Sequence, residues 1–250
     1  MKFNIPETMN NFKLDPNDYS FVNRVFKNGI NTYISRIKQY GFCGKQKVLD
    51  AGCGFGQWSL SLSHLNEEVY SCDADQLRVN FLKSMLRELG VKNIITKQSV
   101  IECLPYPNDY FNVVFCYGVI FLTSWKKSLY ELVRVLKPGG KIYVNANGLG
   151  WFKFLWYSNH NQVEDYSPRK EAAEAWMNTY KYQTGQHLKF PTQLIIEPEE
   201  LMKAMKALKI KNIKMDGEGL LNNPRNKKIF FKKNYYGDIG VYEIIGKKGM

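Results

Sequence analysis

The stretch Val48–Gln57, which reads VLDAGCGFGQ, constrains the fold of this 250-residue chain more than any other. A short apolar run ends in glycines at positions 52, 54 and 56, and a helix-like segment follows at once. Because glycine has no Cβ, such a turn lets the backbone approach a ligand closely, and free amides at a helix start can hold an anion. A dinucleotide-binding G-x-G-x-x-G turn would need a third glycine where Gln57 stands, so a pyrophosphate ligand is disfavoured. A tight strand–helix turn without a ligand is the alternative.

Strand-like and helix-like segments alternate after this turn. Five short apolar runs are typical of strands: Lys47–Ala51, Glu68–Cys72, Asn93–Thr96, Phe111–Cys116 and Lys141–Asn145. Helical patterns lie between them at Trp58–Leu65, Asp75–Leu89 and Trp125–Leu136, and two more strands are expected at Ile210–Met215 and Gly240–Ile245. This order predicts an α/β fold with a Rossmann-like, doubly wound, mostly parallel sheet of seven strands.

A carboxylate follows the second predicted strand. Asp73 lies 17 residues after Gly56, and in nucleoside-binding α/β sheets a carboxylate at this point accepts hydrogen bonds from ribose hydroxyls. An aspartate that only caps the next helix is the alternative.

Five motifs in this order give the chain a family resemblance. Val48–Gln57, Asp73, Leu104–Pro107, Phe111–Val114 and Leu136–Lys141 resemble the motifs of class I S-adenosylmethionine-dependent methyltransferases, within about residues 46–146. The closest likeness is to the small-molecule enzymes of the methyltransferase type 11 group. The resemblance implies S-adenosylmethionine as cofactor and S-adenosylhomocysteine as product.

The resemblance also implies roles for particular residues. The methionine part of the cofactor would be surrounded by Asp50, Gly52, Cys53, Gly54 and Gly56. Asp73 would hold the ribose, with Ala74 beside the adenine and Ser99, Val100 and Ile101 at the adenine edge. Cys116 and Tyr117 would face the sulfonium.

No general base is carried over from the family. The position after strand four that often bears histidine in relatives is occupied by Ile120-Phe121-Leu122. We therefore take His160, in the aromatic insertion, as the first candidate base, and Tyr117 as a second catalytic residue. His160 lies close in sequence to Glu164 and Asp165. A surface imidazole without a catalytic role is the alternative.

We expect one methyltransferase domain over residues 1–250, because no repeat or linker divides the chain. Residues 1–44 would form an N-terminal helical cap, in which apolar positions from Tyr19 to Ile37 predict a single helix. Residues 45–147 would form the cofactor-binding core, and 198–250 the C-terminal part of the sheet. Residues 148–197 are rich in aromatic side chains and are expected to form an inserted helical lid over the methyl-transfer site, or only a packed appendage.

Charge and cysteine content limit the partners. The formal net charge of +12 is concentrated in Lys203–Lys233, which has ten basic and two acidic residues. This region is interpreted as a solvated surface or as a sign of an anionic partner.

Five scattered cysteines without C-x-x-C spacing predict no disulfide framework and no metal site. We expect no membrane span and, with no apolar segment in Met1–Phe12, a cytoplasmic location.

Together these features predict methyl transfer to oxygen or nitrogen of a small polar acceptor. We expect the acceptor to be anionic: a phosphorylated amine, a sugar or a nucleotide sugar. Two alternatives are an RNA methyltransferase, against which the chain shows no separate RNA-binding module, and a non-catalytic nucleoside-binding protein on the same fold.

Overall fold

The computed structural model of the chain describes residues 11–27, 29–163, 166–223 and 229–250. Its strands are β1 Lys47–Ala51, β2 Glu68–Asp73, β3 Ile94–Gln98, β4 Phe111–Cys116, β5 Leu136–Asn147, β6 Ile210–Gly217, β7 Asn234–Tyr235, β8 Asp238–Ile239 and β9 Val241–Lys248. Seven of them form one sheet in the order β3-β2-β1-β4-β5-β9-β6, and β7 and β8 form a separate hairpin. Strand β9 is antiparallel to both of its neighbours, whereas the pairs from β3 to β5 are parallel. The predicted seven-stranded, mostly parallel sheet is confirmed.

Helices cover both faces of the sheet. They are α1 Pro16–Phe26, α2 Asn31–Tyr40, α3 Gln57–Ser63, α4 Gln76–Glu88, α5 Trp125–Arg134, α6 Leu149–Ser158, α7 Pro168–Gln183 and α8 Pro198–Ala207. Side chains of β4 alternate between two buried clusters: Val113 and Phe115 pack with α1 to α4, and Val114 and Cys116 pack with α5 and α8. The sheet is therefore buried on both sides, as the continuous apolar run of β4 predicts.

Two elements differ from the sequence-based expectation. The single N-terminal helix is two helices, because Gly29 has a φ of +69°, which a helix cannot accommodate. Strand β5 begins at Leu136, five residues earlier than predicted, since Leu136 pairs with Phe111 before the Pro-Gly-Gly turn. The register of the pair then shifts, so that Lys141 lies opposite Val113.

The aromatic-rich insertion folds around a small core of its own. Buried side chains of α6, α7 and the segment that follows them form this cluster: Phe152, Leu155, Ala172, Ala175 and Ile195. Helix α6 also packs against the β7–β8 hairpin, to which Lys153 is joined by an ion pair with Asp238. At Gly150 a Cβ would lie 2.3 Å from the carbonyl oxygen of Asp238, so the helix and the hairpin are in direct backbone contact. The insertion is thus fixed to the C-terminal part of the chain.

Candidate cofactor site

The glycine turn lies at the carboxyl edge of the sheet, where β1 is flanked by β2 and β4. The backbone N–H groups of Gly52 and Cys53 donate to the carbonyl oxygen of Cys72 at 2.8 and 2.9 Å, which holds the turn against the end of β2. Strands β2 and β3 lie on one side of β1, and β4 and β5 on the other. Ligands of open α/β sheets bind at such a switch in strand order.

The three glycines of the turn have different surroundings. A Cβ on Gly52 would lie 2.5 Å from a methyl carbon of Val119, and one on Gly56 would lie 2.3 Å from Cδ1 of Leu82. Both glycines are therefore required by packing within the protein. Gly54 has a φ of +53°, and a Cβ there would meet nothing within 4 Å. Of the three, Gly54 is the one that faces open space.

Asp73 bridges the turn and the start of α4. Its Oδ2 accepts a hydrogen bond of 2.9 Å from the backbone N–H of Gly54, and its Oδ1 accepts one of 3.0 Å from that of Asp75. The carboxylate is thus oriented next to the open side of Gly54. A carboxylate has about four lone-pair positions, so two remain for ligand hydroxyls.

Three residues predicted to surround the methionine part of the cofactor, or to face the sulfonium, have buried side chains. Asp50 is buried and accepts a hydrogen bond of 2.6 Å from Ser59 Oγ; burial raises its pKa to about 7, although that bond acts in the opposite direction. Cys53 and Cys116 are also buried, and burial raises the pKa of both thiols. Because these three side chains are buried in the protein interior, the residues would contact the cofactor through their backbone atoms.

The residues predicted for the adenine lie at the ends of β2 and β3. The backbone N–H of Ser99 donates to the carbonyl oxygen of Asp73 at 2.9 Å, and Gln98 Nε2 donates to the carbonyl oxygen of Ala74 at 3.0 Å. Val100 is exposed, whereas Ile101 is buried. The structure therefore brings Ala74, Ser99 and Val100 together on the β2 side of the turn.

Tyr117 is half-buried on the β4 side, where it meets the buried polar side chains of Arg36 and Glu218. Its hydroxyl donates to Glu218 Oε1 at 3.3 Å, and Arg36 Nη1 donates to the same oxygen at 3.0 Å. Burial is the main cause that raises the pKa of Tyr117 well above its ordinary value, and the charge of Glu218 adds to it. The Tyr117 hydroxyl is therefore the donor in its hydrogen bond to Glu218. The sequence singled out neither Arg36 nor Glu218, because they are 182 positions apart in the chain.

His160 lies elsewhere, just beyond the end of α6. Its ring is 4.9 Å from that of Phe154 and 6.2 Å from that of Trp151, between ring centroids. Tyr117, by contrast, packs against Trp58 and Phe115. The two predicted catalytic residues thus lie in different clusters, and Glu164 and Asp165, which are near His160 in sequence, fall outside the described residues.

Two residues to which the sequence analysis gave no binding role stand directly after the glycines. Gln57 is 8% exposed and Trp58 2%, yet Gln57 Oε1 and Trp58 Nε1 are buried without a hydrogen-bond partner. A buried donor or acceptor without a partner is costly, so each requires an explanation. Their place immediately after the third glycine is the signal that could have identified them.

These groups suit S-adenosylmethionine. Its ribose hydroxyls match the free lone pairs of Asp73, its bulk needs the open side of Gly54, and its charged amino-acid end needs both hydrogen-bond donors and acceptors. In the described parts of the chain, no group of three or more His, Cys, Asp or Glu side chains is placed to hold a metal ion.

Two solved structures with the same fold are a methyltransferase and a possible methyltransferase. A S-adenosylmethionine-dependent methyltransferase from Clostridium acetobutylicum aligns with a TM-score of 0.62 and 15% identity over 94% of this chain and 99% of its own. A possible histamine N-methyltransferase from Thermotoga maritima aligns with a TM-score of 0.58 and 17% identity, over 93% and 95%. At this level of identity the likeness defines the class of fold, a Rossmann-like methyltransferase fold.

The sequence comparison supports the same class. Residues 48–140, the core of this chain, match the family model of the methyltransferase domain, and S-adenosylmethionine is the cofactor that this similarity implies. The uncharacterized methyltransferase YcgJ of Bacillus subtilis is 34% identical over 98 residues, 39% of each protein. The ubiquinone/menaquinone biosynthesis C-methyltransferase UbiE of Proteus mirabilis is 33% identical over 133 residues, 50% of this chain and 53% of UbiE. The matches thus span about half or less of these curated relatives.

The structure also addresses the expected absence of a membrane span. Within the described ranges, every helix is too short or too polar to cross a bilayer.

Proposed function

We propose that this chain transfers the methyl group of S-adenosylmethionine to a small-molecule acceptor and releases S-adenosylhomocysteine. The observation that carries the proposal is the open Gly54 beside the oriented carboxylate of Asp73, within the matched methyltransferase domain. When bound, the cofactor supplies a methyl group already activated by the positive sulfur. The residues of the chain have to hold it and the acceptor in line and at short range, which accounts for much of the rate of such reactions.

In this proposal the binding residues act across the sheet edge. Asp73 accepts hydrogen bonds from the ribose, and Ala74, Ser99, Val100 and Ile101 border the adenine. The turn from Asp50 to Gly56 surrounds the methionine part, Asp50 and Cys53 through their backbone. Cys116 and Tyr117, at the end of β4, border the sulfonium.

Oxygen and nitrogen acceptors make different demands on the site. An amine that arrives neutral needs no base, whereas a hydroxyl usually needs one. An amine acceptor therefore fits the site without a residue that acts as a base. For a hydroxyl acceptor, His160 stays our candidate base, and it would have to approach from the insertion.

The acceptor is proposed to be anionic: a phosphorylated amine, a sugar or a nucleotide sugar. Support comes from the net charge of +12 and from basic residues on α8 and β6, such as Lys203, Lys206 and Lys214. Three of the ten basic residues of this region, at positions 225, 227 and 228, lie outside the described residues.

We also propose that residues 1–250 act as one domain, with 148–197 as a lid on the acceptor side. Helix α6 begins two residues after β5 ends at the carboxyl edge of the sheet, which supports this role. Since α6 is fixed to the β7–β8 hairpin, the lid and the hairpin would move together.

The test combines binding with transfer. Calorimetry with S-adenosylmethionine should show binding, and cofactor labelled in its methyl group should label an acceptor from a panel of phosphorylated amines, sugars and nucleotide sugars. Their dephosphorylated counterparts serve as controls for the anionic class. Binding without transfer to any acceptor would favour a non-catalytic nucleoside-binding protein, and transfer to RNA alone would replace the small acceptor.

A further inference from the structure

Trp58, one of the two residues with unpartnered polar atoms at the start of α3, lies on a particular side of the glycine turn. The Trp58 ring is 4.7 Å from that of Tyr117, 5.0 Å from that of Phe115 and 4.9 Å from that of Tyr33, between centroids. Phe115 and Tyr117 belong to the end of β4, so Trp58 lies on the β4 side of the turn. Asp73 lies on the opposite side, at the end of β2.

Because Asp73 and Trp58 lie on opposite sides of the turn, they would contact different ends of one bound ligand. A nucleoside held by Asp73 has its ribose on the β2 side, and the rest of the molecule then extends past Gly54 towards β4. The part that reaches Trp58 is therefore not the nucleoside. In S-adenosylmethionine it is the amino acid, which carries an α-ammonium group and an α-carboxylate.

The chemistry of the two atoms matches those two charges. Gln57 Oε1 is an acceptor, as an ammonium group needs, and the Trp58 indole N–H is a donor, as a carboxylate needs. The aromatic contacts hold the indole ring in place, which reduces the loss of side-chain freedom on binding. Hydrogen bonds to charged groups are also the strong ones.

We propose that the Gln57 carbonyl oxygen binds the α-ammonium group, and the Trp58 indole N–H the α-carboxylate, of the cofactor. The proposal rests on the proposed function, since it assigns side chains to the amino-acid end of the same cofactor. It explains why two polar atoms are buried without partners in residues that directly follow the glycine turn.

A pair of probes isolates this end of the ligand. S-adenosylhomocysteine has the amino acid, and 5′-methylthioadenosine has the same nucleoside thioether without it. Calorimetry would measure both probes with the full-length protein and with Trp58→Phe and Gln57→Met, which remove the polar atoms and keep most of the side-chain volume. We expect each variant to bind S-adenosylhomocysteine about tenfold more weakly or worse, and 5′-methylthioadenosine unchanged.

Further variants test the chemistry and the fold. Gln57→Glu keeps an acceptor oxygen and adds a negative charge beside the ammonium, so it should bind S-adenosylhomocysteine better than Gln57→Met does. Gln193→Met is the matched control, because Gln193 also has a buried, unpartnered Oε1 but is bonded to Glu171 in the insertion; Trp125→Phe controls for loss of a buried indole. Neither control should change the binding of either probe.

Each result decides the proposal. Equal loss of both probes, or no loss of either, in Trp58→Phe and Gln57→Met would overturn it, provided that thermal melting shows both variants folded. If Trp58→Phe does not fold, Gln57→Met and Gln57→Glu decide alone. If the unmodified protein binds neither probe, the proposed function fails as well, which distinguishes the two failures.

Discussion

The backbone N–H of Gly54 donates a hydrogen bond of 2.9 Å to Oδ2 of Asp73. This bond joins the turn after β1 to the end of β2, so the residue that faces open space and the carboxylate predicted to bind ribose are fixed relative to each other. This edge of the sheet is thus organised by contacts within the protein. Binding then requires little further ordering of the turn, which favours affinity.

Loss of the Asp73 carboxylate should weaken cofactor binding. Asp73→Ala removes both the proposed ribose contact and the bond that orients Gly54, so we expect at least a tenfold rise in the Kd for S-adenosylmethionine, measured by calorimetry. Asp75→Asn is the matched control, because Asp75 caps α4 through Leu77, and asparagine caps helices equally well. Unchanged affinity in Asp73→Ala would show that the ribose is bound elsewhere.

Substitutions at Gly54 and Gly56 should have different effects: the first on cofactor affinity, the second mainly on stability. Alanine at Gly54 or Gly56 meets a positive φ, which costs roughly 1–2 kcal/mol at either position. At Gly56 the new Cβ would also collide with the buried Leu82, adding about 1–3 kcal/mol. Urea unfolding should therefore show Gly56→Ala as the less stable variant, whereas calorimetry should show that Gly54→Val has lost cofactor affinity at near-native secondary structure. A Gly54→Val variant that binds normally would refute the assignment of this open space to the ligand.

The buried Arg36–Glu218 pair should contribute far more to stability than an exposed pair. Arg36→Met leaves the carboxylates of Glu218 and Glu243 buried together, so we expect a loss of about 3–5 kcal/mol in the free energy of unfolding. Lys170→Met, which breaks an exposed pair with Glu174, should cost less than about 1 kcal/mol. Urea denaturation measures both, and the double variant Arg36→Met/Glu218→Gln should recover part of the loss. Additive losses in the double variant would contradict the coupling of the two residues.

Asp50 should make stability depend on pH. Burial raises its pKa from 3.8 to about 7, so between these values the folded protein holds a proton that the unfolded chain has lost. The contribution of Asp50 to the free energy of unfolding is therefore greatest below about pH 4 and decreases as the pH rises towards 7. Above pH 7 it no longer changes with pH. Asp50→Asn should remove this component, which urea titrations from pH 4 to 8 would reveal as a flatter profile relative to the native protein. Identical profiles would show that Asp50 does not titrate in this range.

The sequence by itself determined the sheet and the place of the glycine turn. Val48–Gln57 and the Phe111–Cys116 strand are local patterns, in which strand, turn and helix are specified by neighbouring residues. Residues at the ends of adjacent parallel strands then meet at one edge whatever the rest of the chain does. That is why the local patterns alone are enough to predict that Gly54 and Asp73 lie together.

Only the tertiary structure decided which side chains are free to act. It distinguished Gly54 from Gly52 and Gly56, whose neighbours Val119 and Leu82 come from other elements of the chain. It bonded Tyr117 to Glu218 and packed His160 against Phe154 in the insertion. The physical reason is that packing, burial and charge pairing depend on distances between residues far apart in sequence. A short sequence motif does not determine those distances.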